Sequence, residues 1–401
     1  MRAARSILAT FAPVRAASVR FDKLGAILAA LGLFALSFQP FLILRANRIA
    51  PGEAVSAVGA LGAGGAVLIA VLAAVCLLLL FRVPLVLRLL VTGLALLVLA
   101  ISIGLGASAL MVEGNTYARA SPGAGAWVMA FVLAMAMADA LARFALGPLA
   151  RIGILAGIAL IVGFIISTGI WDDLAVLREY GARQAAFGRE LETHLALAFG
   201  SVAVAALVGV PVGIACYLVP RMRAAILSSL NIVQTIPSIA LFGLLIAPMA
   251  WIGANVPGAA QLGIAGIGFA PAFVALFAYS LLPMVSNTVV GLDGVPREAV
   301  EAAQGMGMTE SQRLIRILLP LAFPVILAGI RIVLVQNIGL AVIAGLIGGG
   351  GLGTFVFQGI AQTAMPLVLL GAIPAVAMSF AAAIVLDAIV ELSRGDVRTS
   401  A

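Results

Sequence analysis

The chain has 401 residues, of which 64% are hydrophobic and only 10% are charged. Soluble domains carry about 25% charged residues, so this composition excludes a water-soluble fold and indicates an integral membrane protein. The formal net charge of +7 does not indicate a nucleic-acid-binding surface, because the basic residues are spread between the hydrophobic runs and form no patch.

Hydrophobic runs of the length needed to cross a bilayer, about 20 residues, recur along the whole chain. Every backbone polar group must be paired inside a bilayer, so we expect an all-α fold with about ten transmembrane helices. The runs cover roughly residues 24–44, 58–80, 85–106, 123–143, 152–170, 195–218, 226–247, 268–290, 321–345 and 365–389.

The distribution of Lys and Arg predicts how these spans are oriented. If the N-terminus is cytoplasmic, 17 of the 23 basic residues fall in inside segments and 6 in outside segments. This bias is what the positive-inside rule expects. Both termini are therefore predicted to be cytoplasmic.

The two halves of the chain differ in character. The first half has Ala-, Leu- and Val-rich runs with short connections, whereas Pro and Gly interrupt the runs from His194 onward. Such breaks are tolerated where backbone lines a cavity or packs on other helices. We predict an accessory membrane domain over 1–190, with about five spans and a periplasmic acidic segment, a transport core over 191–392, and a cytoplasmic tail over 393–401.

The most polar long segment of the second half runs from Glu301 to Pro320, between two hydrophobic runs. Each of its charges would cost about 3 kcal/mol at membrane depth, so we expect a cytoplasmic loop. Thr309 can cap a short helix that begins after Gly307. Pro320 is expected to end that helix and to start the next span.

Small and apolar positions in this loop suit a docking surface. Small side chains let a partner approach the backbone, and Leu314, Ile315 and Leu318 would give the short helix an apolar face. The residues expected to carry docking are Glu301, Ala302, Ala303, Gly305, Gly307, Leu314, Ile317, Leu319 and Pro320.

The spacing of Glu-Ala-Ala at 301–303, Gly307, Ile317 and Leu319-Pro320 resembles the loop by which permease subunits of binding-protein-dependent ABC importers dock onto their ATPase. Four further segments resemble the permeases of osmoprotectant importers for glycine betaine, choline and related quaternary amines. They are NIVQTIPSIALFGLL (231–245), YSLLPMVSNTVVGLDGV (279–295), PLAFPVILAGIR (320–331) and LIGGGGLGTFVFQGI (346–360).

The resemblance implies a five-helix, MetI-like permease core in a bacterial inner membrane. It implies partner ATPase subunits, a periplasmic substrate-binding protein, and a second permease subunit that is identical or different. ATP would be hydrolysed on the separate subunit, so the chain itself is expected to be no enzyme and to need no cofactor or metal. The five N-terminal spans are an extension found in longer osmoprotectant permeases.

Polar and backbone-breaking residues at membrane depth are candidates for the pathway or the gate. The run Gly348–Gly353 could be a flexible gate element or a packing turn. The core half shows no aromatic cluster that would hold a quaternary amine, so we expect tight recognition in a separate binding protein. The pathway and gate candidates are Gln234, Pro237, Asn287, Asn337, Gly350 and Gly353.

Two other functions stay open at this stage. The chain could be an ABC permease for another small solute such as methionine, whose importer branch shares the loop. It could also be an ion-coupled secondary carrier, although that would need buried carboxylates, which the core runs nearly lack at mid-depth.

Overall fold

The computed structural model describes residues 21–47, 50–111, 115 and 117–393. The basic residues before Phe21, together with Arg48 and the tail 394–401, lie outside these ranges, so their predicted positions are not tested. Of the described residues, those up to Leu146 and Ile165–Leu174 form one compact unit, and Gly147–Phe164 with those from Ala175 onward form a second. The functional boundary expected near residue 190 stays a prediction.

The first unit consists of apolar helices and a small sheet. Its first helix ends at Phe38, because Gln39 precedes a proline and takes an extended conformation. Gly62, with φ of 56°, separates the next two helices. The elements are α1 (Lys23–Phe38), β1 (Leu42–Arg45), β2 (Glu53–Val55), α2 (Ala57–Leu61), α3 (Ala63–Leu79), α4 (Leu85–Ala109), β3 (Arg119–Pro122) and α5 (Ala124–Arg143).

The sheet is antiparallel, with strand order β2–β1–β3. β1 and β2 lie between α1 and α2, whereas β3 lies between α4 and α5, so the sheet joins two connections that are far apart in sequence. The sheet was not predicted from the sequence, because strands of three or four residues are too short to show an alternation of apolar and polar residues.

The closed ion cluster of the first unit comprises Asp22, Arg88 and Asp139, whose side chains are at most 17% exposed, together with Arg143, which is 45% exposed. Arg88 is only 2% exposed, and its Nη1 donates to Asp22 Oδ2 over 2.5 Å. Its Nη2 lies 3.5 Å from Asp139 Oδ2. Asp139 also pairs with Arg143 over 3.0 Å, because residues four positions apart lie on the same side of a helix.

The second unit is helical throughout its described residues. Its elements are α6 (Pro148–Ser167, whose last three residues belong to the first unit), α7 (Ala175–Ala182), α8 (Gln184–Leu218), α9 (Pro220–Thr235), α10 (Ser238–Leu244), α11 (Ile246–Asn255), α12 (Phe269–Asp293), α13 (Arg297–Gly305), α14 (Glu310–Arg313), a π segment (Leu314–Leu318), α15 (Leu319–Ala344), a 3₁₀ turn (Gly345–Ile347), α16 (Gly353–Ala361) and α17 (Met365–Ser393).

Three long helices, α8, α12 and α15, form the centre of this unit. Their buried residues make one hydrophobic cluster that includes Leu197, Leu276 and Val333. Close approach is possible because small residues lie at the contacts: a Cβ on Gly209 or Gly213 of α8 would meet α12 side chains within 2.7 Å. By contrast, α9 and α11 have no buried residue.

Among the described residues, eight helical segments are long and apolar enough to span a membrane, whereas the sequence predicted about ten. All ten runs contain helix, but α1 and α3 have only 16 and 17 residues. The qualifying segments are Leu85–Ala109, Ala124–Arg143, Pro148–Ser167, Gln184–Leu218, Ser238–Asn255, Phe269–Asp293, Glu310–Ile347 and Met365–Ser393.

The expected span 226–247 was placed wrongly. The backbone breaks at Ile236 and Pro237, where Ile236 is extended as the residue before a proline must be. The apolar segment that could cross a membrane therefore starts after this break and runs over Ser238–Asn255. The polar residues that precede the break belong to a separate helix, α9.

Candidate functional site

The segment between α12 and α15, which we call the coupling loop (residues 297–320), folds into two short helices. α13 is followed by Gly307, whose φ of 76° turns the chain. Thr309 then caps α14: its hydroxyl accepts from Gln312 N, and the Gln312 side chain accepts from Thr309 N. The cap expected from the sequence is confirmed, because it depends only on residues three positions apart.

One face of α13 is exposed to solvent and carries mainly small side chains. Ala303 is fully buried, whereas Glu301, Ala302, Gly305 and Gly307 are all exposed. Apart from the chain neighbours and the local helix backbone, no heavy atom lies within 4 Å of a Cβ placed on Gly305 or Gly307. The exposed side of α13 can therefore accept a close-fitting partner surface.

The other side of the coupling loop is fixed to the core. Leu318 is buried in a cluster with Leu292 and Val295, and Leu314 and Leu319 pack against it. Ile317 is half-buried, but Ile315, which was expected on the apolar face, is 63% exposed.

Pro320 does not end the helix, so that expectation was wrong. The helical segment continues from Glu310 to Ile347, a length of 38 residues. A proline inside a helix removes a hydrogen bond and clashes with the carbonyl four residues earlier, here that of Arg316. The π segment over 314–318 has wider turns than an α-helix, and it accommodates the proline at this point. The coupling loop is thus joined to α15 without a break.

Gln234, one of the pathway candidates, lies just before the backbone break after α9 and bonds to α12. Its Nε2 donates to the Tyr279 carbonyl over 2.9 Å, and the Tyr279 hydroxyl donates to the Ile236 carbonyl. Pro237 at the break is exposed. Gln234 therefore holds the position of the break.

Asn337 is completely buried at the crossing of α8, α12 and α15. Its Nδ2 donates to the hydroxyls of Ser201 and Ser280, each over 2.8 Å. Asn287 lies further along α12, bonds its own helix at the Pro283 carbonyl and is not part of this group. The structure thus does not bring the polar candidates together at one point.

The glycine run after α15 is a packed turn. Gly348, Gly350 and Gly351 have φ between 73° and 81°, which other residues rarely adopt. A Cβ on Gly353 would lie 1.7 Å from the Val342 carbonyl oxygen, and one on Gly350 would lie 2.9 Å from Thr193. Of the two readings left open by the sequence, the packing turn fits this geometry. A gate role stays a prediction.

Aromatic side chains meet in pairs in the second unit. Phe269 stacks on Phe273, and Phe187 stacks on Phe355 with centroids 6.0 Å apart while Tyr180 contacts its edge. These rings pack on one another, and a centroid distance of 6.0 Å leaves no room for a cation between the faces of Phe187 and Phe355.

One further group of charged residues forms ion pairs in the second unit. Arg151, Arg331, Asp387 and Glu391 are not among the site residues predicted from the sequence. Arg151 Nη1 donates to Asp387 Oδ2 over 2.6 Å, and Arg151 also donates to Glu391. Arg331 donates to the other Asp387 oxygen. We call these four residues the open ion cluster.

Comparison with known proteins identifies the family. Residues 22–177 match the family "ABC transporter permease YehY, N-terminal domain", and residues 205–399 match "Binding-protein-dependent transport system inner membrane component". The osmoprotectant import permease protein OsmW of Salmonella typhimurium is 41% identical over 48% of this chain and 83% of that protein. The chain belongs to the permease family of binding-protein-dependent ABC importers.

Other members of this permease family are similar over comparable lengths. The glycine betaine/carnitine/choline transport system permease protein OpuCB of Bacillus subtilis is 36% identical over 45% of this chain and 76% of that protein. OsmY of Salmonella typhimurium, another osmoprotectant import permease protein, is 38% identical over 54% of this chain and 85% of that protein. A solved inward-facing structure of the MetNI methionine ABC transporter covers 52% of this chain and 97% of that chain, with a TM-score of 0.47 and 24% identity.

Membership confirms the main expectations from the sequence. The protein is a multi-pass inner-membrane permease with an α-helical fold. Permeases of this family are translocation subunits that work with a separate ATPase and a substrate-binding protein, so the chain is not itself the ATPase.

Proposed function

We propose that this permease carries osmoprotectants, quaternary amines such as glycine betaine or choline, into the cell at the expense of ATP hydrolysed by its partner. The proposal is supported by the names of three relatives. One name specifies osmoprotectants, one specifies choline, and one specifies glycine betaine, carnitine and choline. Since these relatives are 36–41% identical over at least 76% of their length, the same class of solute is the best-supported cargo.

The coupling loop is where the ATPase would dock. The single observation that carries this proposal is the exposed small-residue face of α13, in a coupling loop that Leu314, Leu318 and Leu319 hold to the core. Force applied to that face would pass into α14 and then along the continuous helix from Glu310 to Ile347. Exposed Met306 and Ile315 would add apolar contact area at the same surface.

The remaining parts of the proposal follow from this placement. Both termini and the coupling loop would be cytoplasmic, and residues 191–392 would pair with a second permease subunit, identical or different, to enclose the pathway. Residues 1–190 would be an accessory membrane domain. Gln234 and Asn337 would hold the pathway helices in position, whereas Pro237, Asn287, Gly350 and Gly353 would mark the segments that move during gating.

A transport assay tests the solute and the energy source together. The permease is reconstituted in proteoliposomes with its ATPase and binding protein, and uptake of labelled glycine betaine, choline and methionine is measured. We expect uptake of the quaternary amines that requires internal ATP. Uptake of methionine alone would reassign the solute, and uptake that persists without ATP while an ion gradient is held would establish an ion-coupled carrier instead.

Replacement of Gly307 by valine tests the coupling loop itself. A β-branched residue at φ of 76° carries about 1–3 kcal/mol of backbone strain, so the turn between α13 and α14 should be lost. We expect the variant to lose ATPase co-purification and ATP-driven uptake. Gly157→Ala in α6, whose added Cβ also meets open space, is the control and should behave as wild type. Normal uptake by Gly307→Val would refute the docking role.

A further inference from the structure

The open ion cluster joins three helices of the second unit. Arg151 lies on α6, Arg331 on α15, and Asp387 and Glu391 on α17. The two guanidinium groups and two carboxylates alternate, with Asp387 bound by both arginines and Glu391 bound by Arg151. The cluster is electrically neutral as a whole, but each of its charges is between 30% and 52% exposed.

Three members of this cluster, Arg151, Arg331 and Asp387, line the polar end of a cavity of about 610 Å³, and Glu391 binds Arg151 outside this lining. Sites for small ligands have volumes of about 300–1,000 Å³, so the space is large enough for a headgroup-sized molecule. The rest of its lining is mainly apolar and comes from α15 and α17: Ile332, Val335, Ala383 and Ile384, with Gln336 between them. The cavity thus combines a charged end with an apolar wall.

The helix that supplies Arg151 packs loosely. None of the residues of α6 in the second unit is buried, although the helix is long and apolar enough to span a membrane. Such a helix has its surface covered by lipid in the bilayer. A cavity that opens beside α6 is therefore accessible to lipid molecules.

The charge pattern limits what can bind. A purely anionic group would meet two carboxylates, and a purely cationic group would meet two guanidinium groups. A zwitterion satisfies both, with its anion on the arginines and its cation on the carboxylates. Carboxylates accept hydrogen bonds, so a primary ammonium with N–H donors fits better than a quaternary ammonium, which has none.

We propose that this cavity binds a membrane phospholipid whose headgroup carries a phosphodiester and a primary ammonium, as in phosphatidylethanolamine. The phosphate contacts Arg151 and Arg331, and the ammonium contacts Asp387 in the lining, with Glu391 beside it on the same helix. The acyl chains lie along the apolar wall formed by α15 and α17. Binding replaces ion pairs within the protein by ion pairs to the lipid, so α6, α15 and α17 are held together through the headgroup.

Lipid retention by the wild-type protein tests the proposal without any transport assay. The full chain is placed in nanodiscs that contain equal amounts of phosphatidylethanolamine, phosphatidylcholine and phosphatidylglycerol, and the lipid that stays bound is identified by native mass spectrometry. We expect about tenfold enrichment of phosphatidylethanolamine over each of the others, since each competitor lacks one charge-assisted hydrogen-bonding group. Equal retention of all three lipids, or preference for phosphatidylglycerol, overturns the proposal.

Variants assign the retained lipid to the cavity. Arg151→Gln and Asp387→Asn should each abolish the enrichment, whereas Arg221→Gln, which removes an exposed charge on α9, should leave it unchanged. Unchanged enrichment in both cluster variants refutes the assignment. Should these variants fail to fold, the wild-type lipid series still decides the proposal.

A competition experiment separates a lipid from a soluble zwitterion. Glycerophosphoethanolamine, which has the same headgroup without acyl chains, should displace the bound lipid only weakly, because it lacks contact with the apolar wall. Glycine betaine should not displace it at all, because its quaternary ammonium donates no hydrogen bond. Displacement of the lipid by glycine betaine would assign the cavity to a transported solute and overturn the lipid proposal.

Discussion

The two units of the molecule each contain a cluster of four charged side chains, but one is closed and the other open. In the closed ion cluster Arg88 is 2% exposed and its two aspartates are at most 17% exposed. In the open ion cluster no side chain is less than 30% exposed. Charges that must be desolvated serve the stability of their own unit, whereas accessible charges can exchange a protein partner for an external one.

The largest effect should come from breaking the closed ion cluster. Arg88→Gln removes the only positive charge bonded to Asp22 among the described contacts and leaves that carboxylate buried without a counter-charge. We expect a loss of about 3–5 kcal/mol in the free energy of unfolding of the first unit.

The measurement for Arg88→Gln is denaturant unfolding in detergent micelles, followed by a probe placed in the first unit. Arg143→Gln is the matched control, because Arg143 is far more exposed and its loss should be small. If Arg88→Gln unfolded with nearly the free energy of wild type, the closed ion cluster would be no more important for stability than the open one.

The second unit has its own fully buried polar contact, which is uncharged. Asn337→Ala removes two hydrogen bonds, but Ser201 and Ser280 still donate to carbonyls of their own helices. We expect a loss of about 1–3 kcal/mol. Thermal unfolding of Asn337→Ala against Asn287→Ala, whose amide bonds only within α12 in the described structure, checks this. Equal shifts in the two variants would show that the three-helix contact adds no stability.

The closed ion cluster should also be sensitive to acid. Burial acts to raise the pKa of the Asp22 carboxyl. The hydrogen bonds from Arg88 and from the Gly25 backbone, together with the positive charges of Arg88 and Arg143, outweigh burial, so the pKa lies below its ordinary value. A carboxyl with a lowered folded pKa stabilises the fold above its unfolded pKa, near about 4, and this contribution is lost as the pH falls further.

Unfolding temperatures of wild type and Asp22→Asn between pH 7 and pH 3 test the acid response. We expect a constant difference between them above about pH 5 that narrows below about pH 4. A difference that widens with acid would mean that Arg88 does not lower the pKa of Asp22.

The smallest effect on stability should come from the open ion cluster. Arg151→Gln breaks ion pairs whose members are between 30% and 52% exposed, and such pairs contribute about 1 kcal/mol or less. The unfolding temperature in a pure phosphatidylcholine nanodisc is expected to shift by only a few degrees. A shift as large as that of Arg88→Gln would class the open ion cluster as structural.

Local features were the ones that the sequence predicted well. The cap at Thr309 and the spacing of the coupling loop depend on neighbours a few residues apart. The helical fold follows from hydrophobic runs that can only pair their backbone as helices in a bilayer. Proline signals were harder to interpret, because Pro237 breaks a predicted span whereas Pro320 lies within a continuous helix.

Contacts between distant residues could not be predicted. Arg151 and Asp387 are 236 positions apart, and nothing local to either residue points to the other. The burial of Asn337 and the stacking of Phe187 on Phe355 likewise depend on how whole helices pack. The pathway roles assigned from polarity alone therefore stay predictions.

The unbroken helix from Glu310 to Ile347 has a mechanical consequence. At 1.5 Å per residue its 38 residues extend about 57 Å. The hydrocarbon layer of a bilayer is about 30 Å thick, so nearly half of this helix must lie beyond it. The helix includes a π segment and Pro324, so a displacement at its polar end would reach the glycine turn at its far end along one element that can bend at these two points.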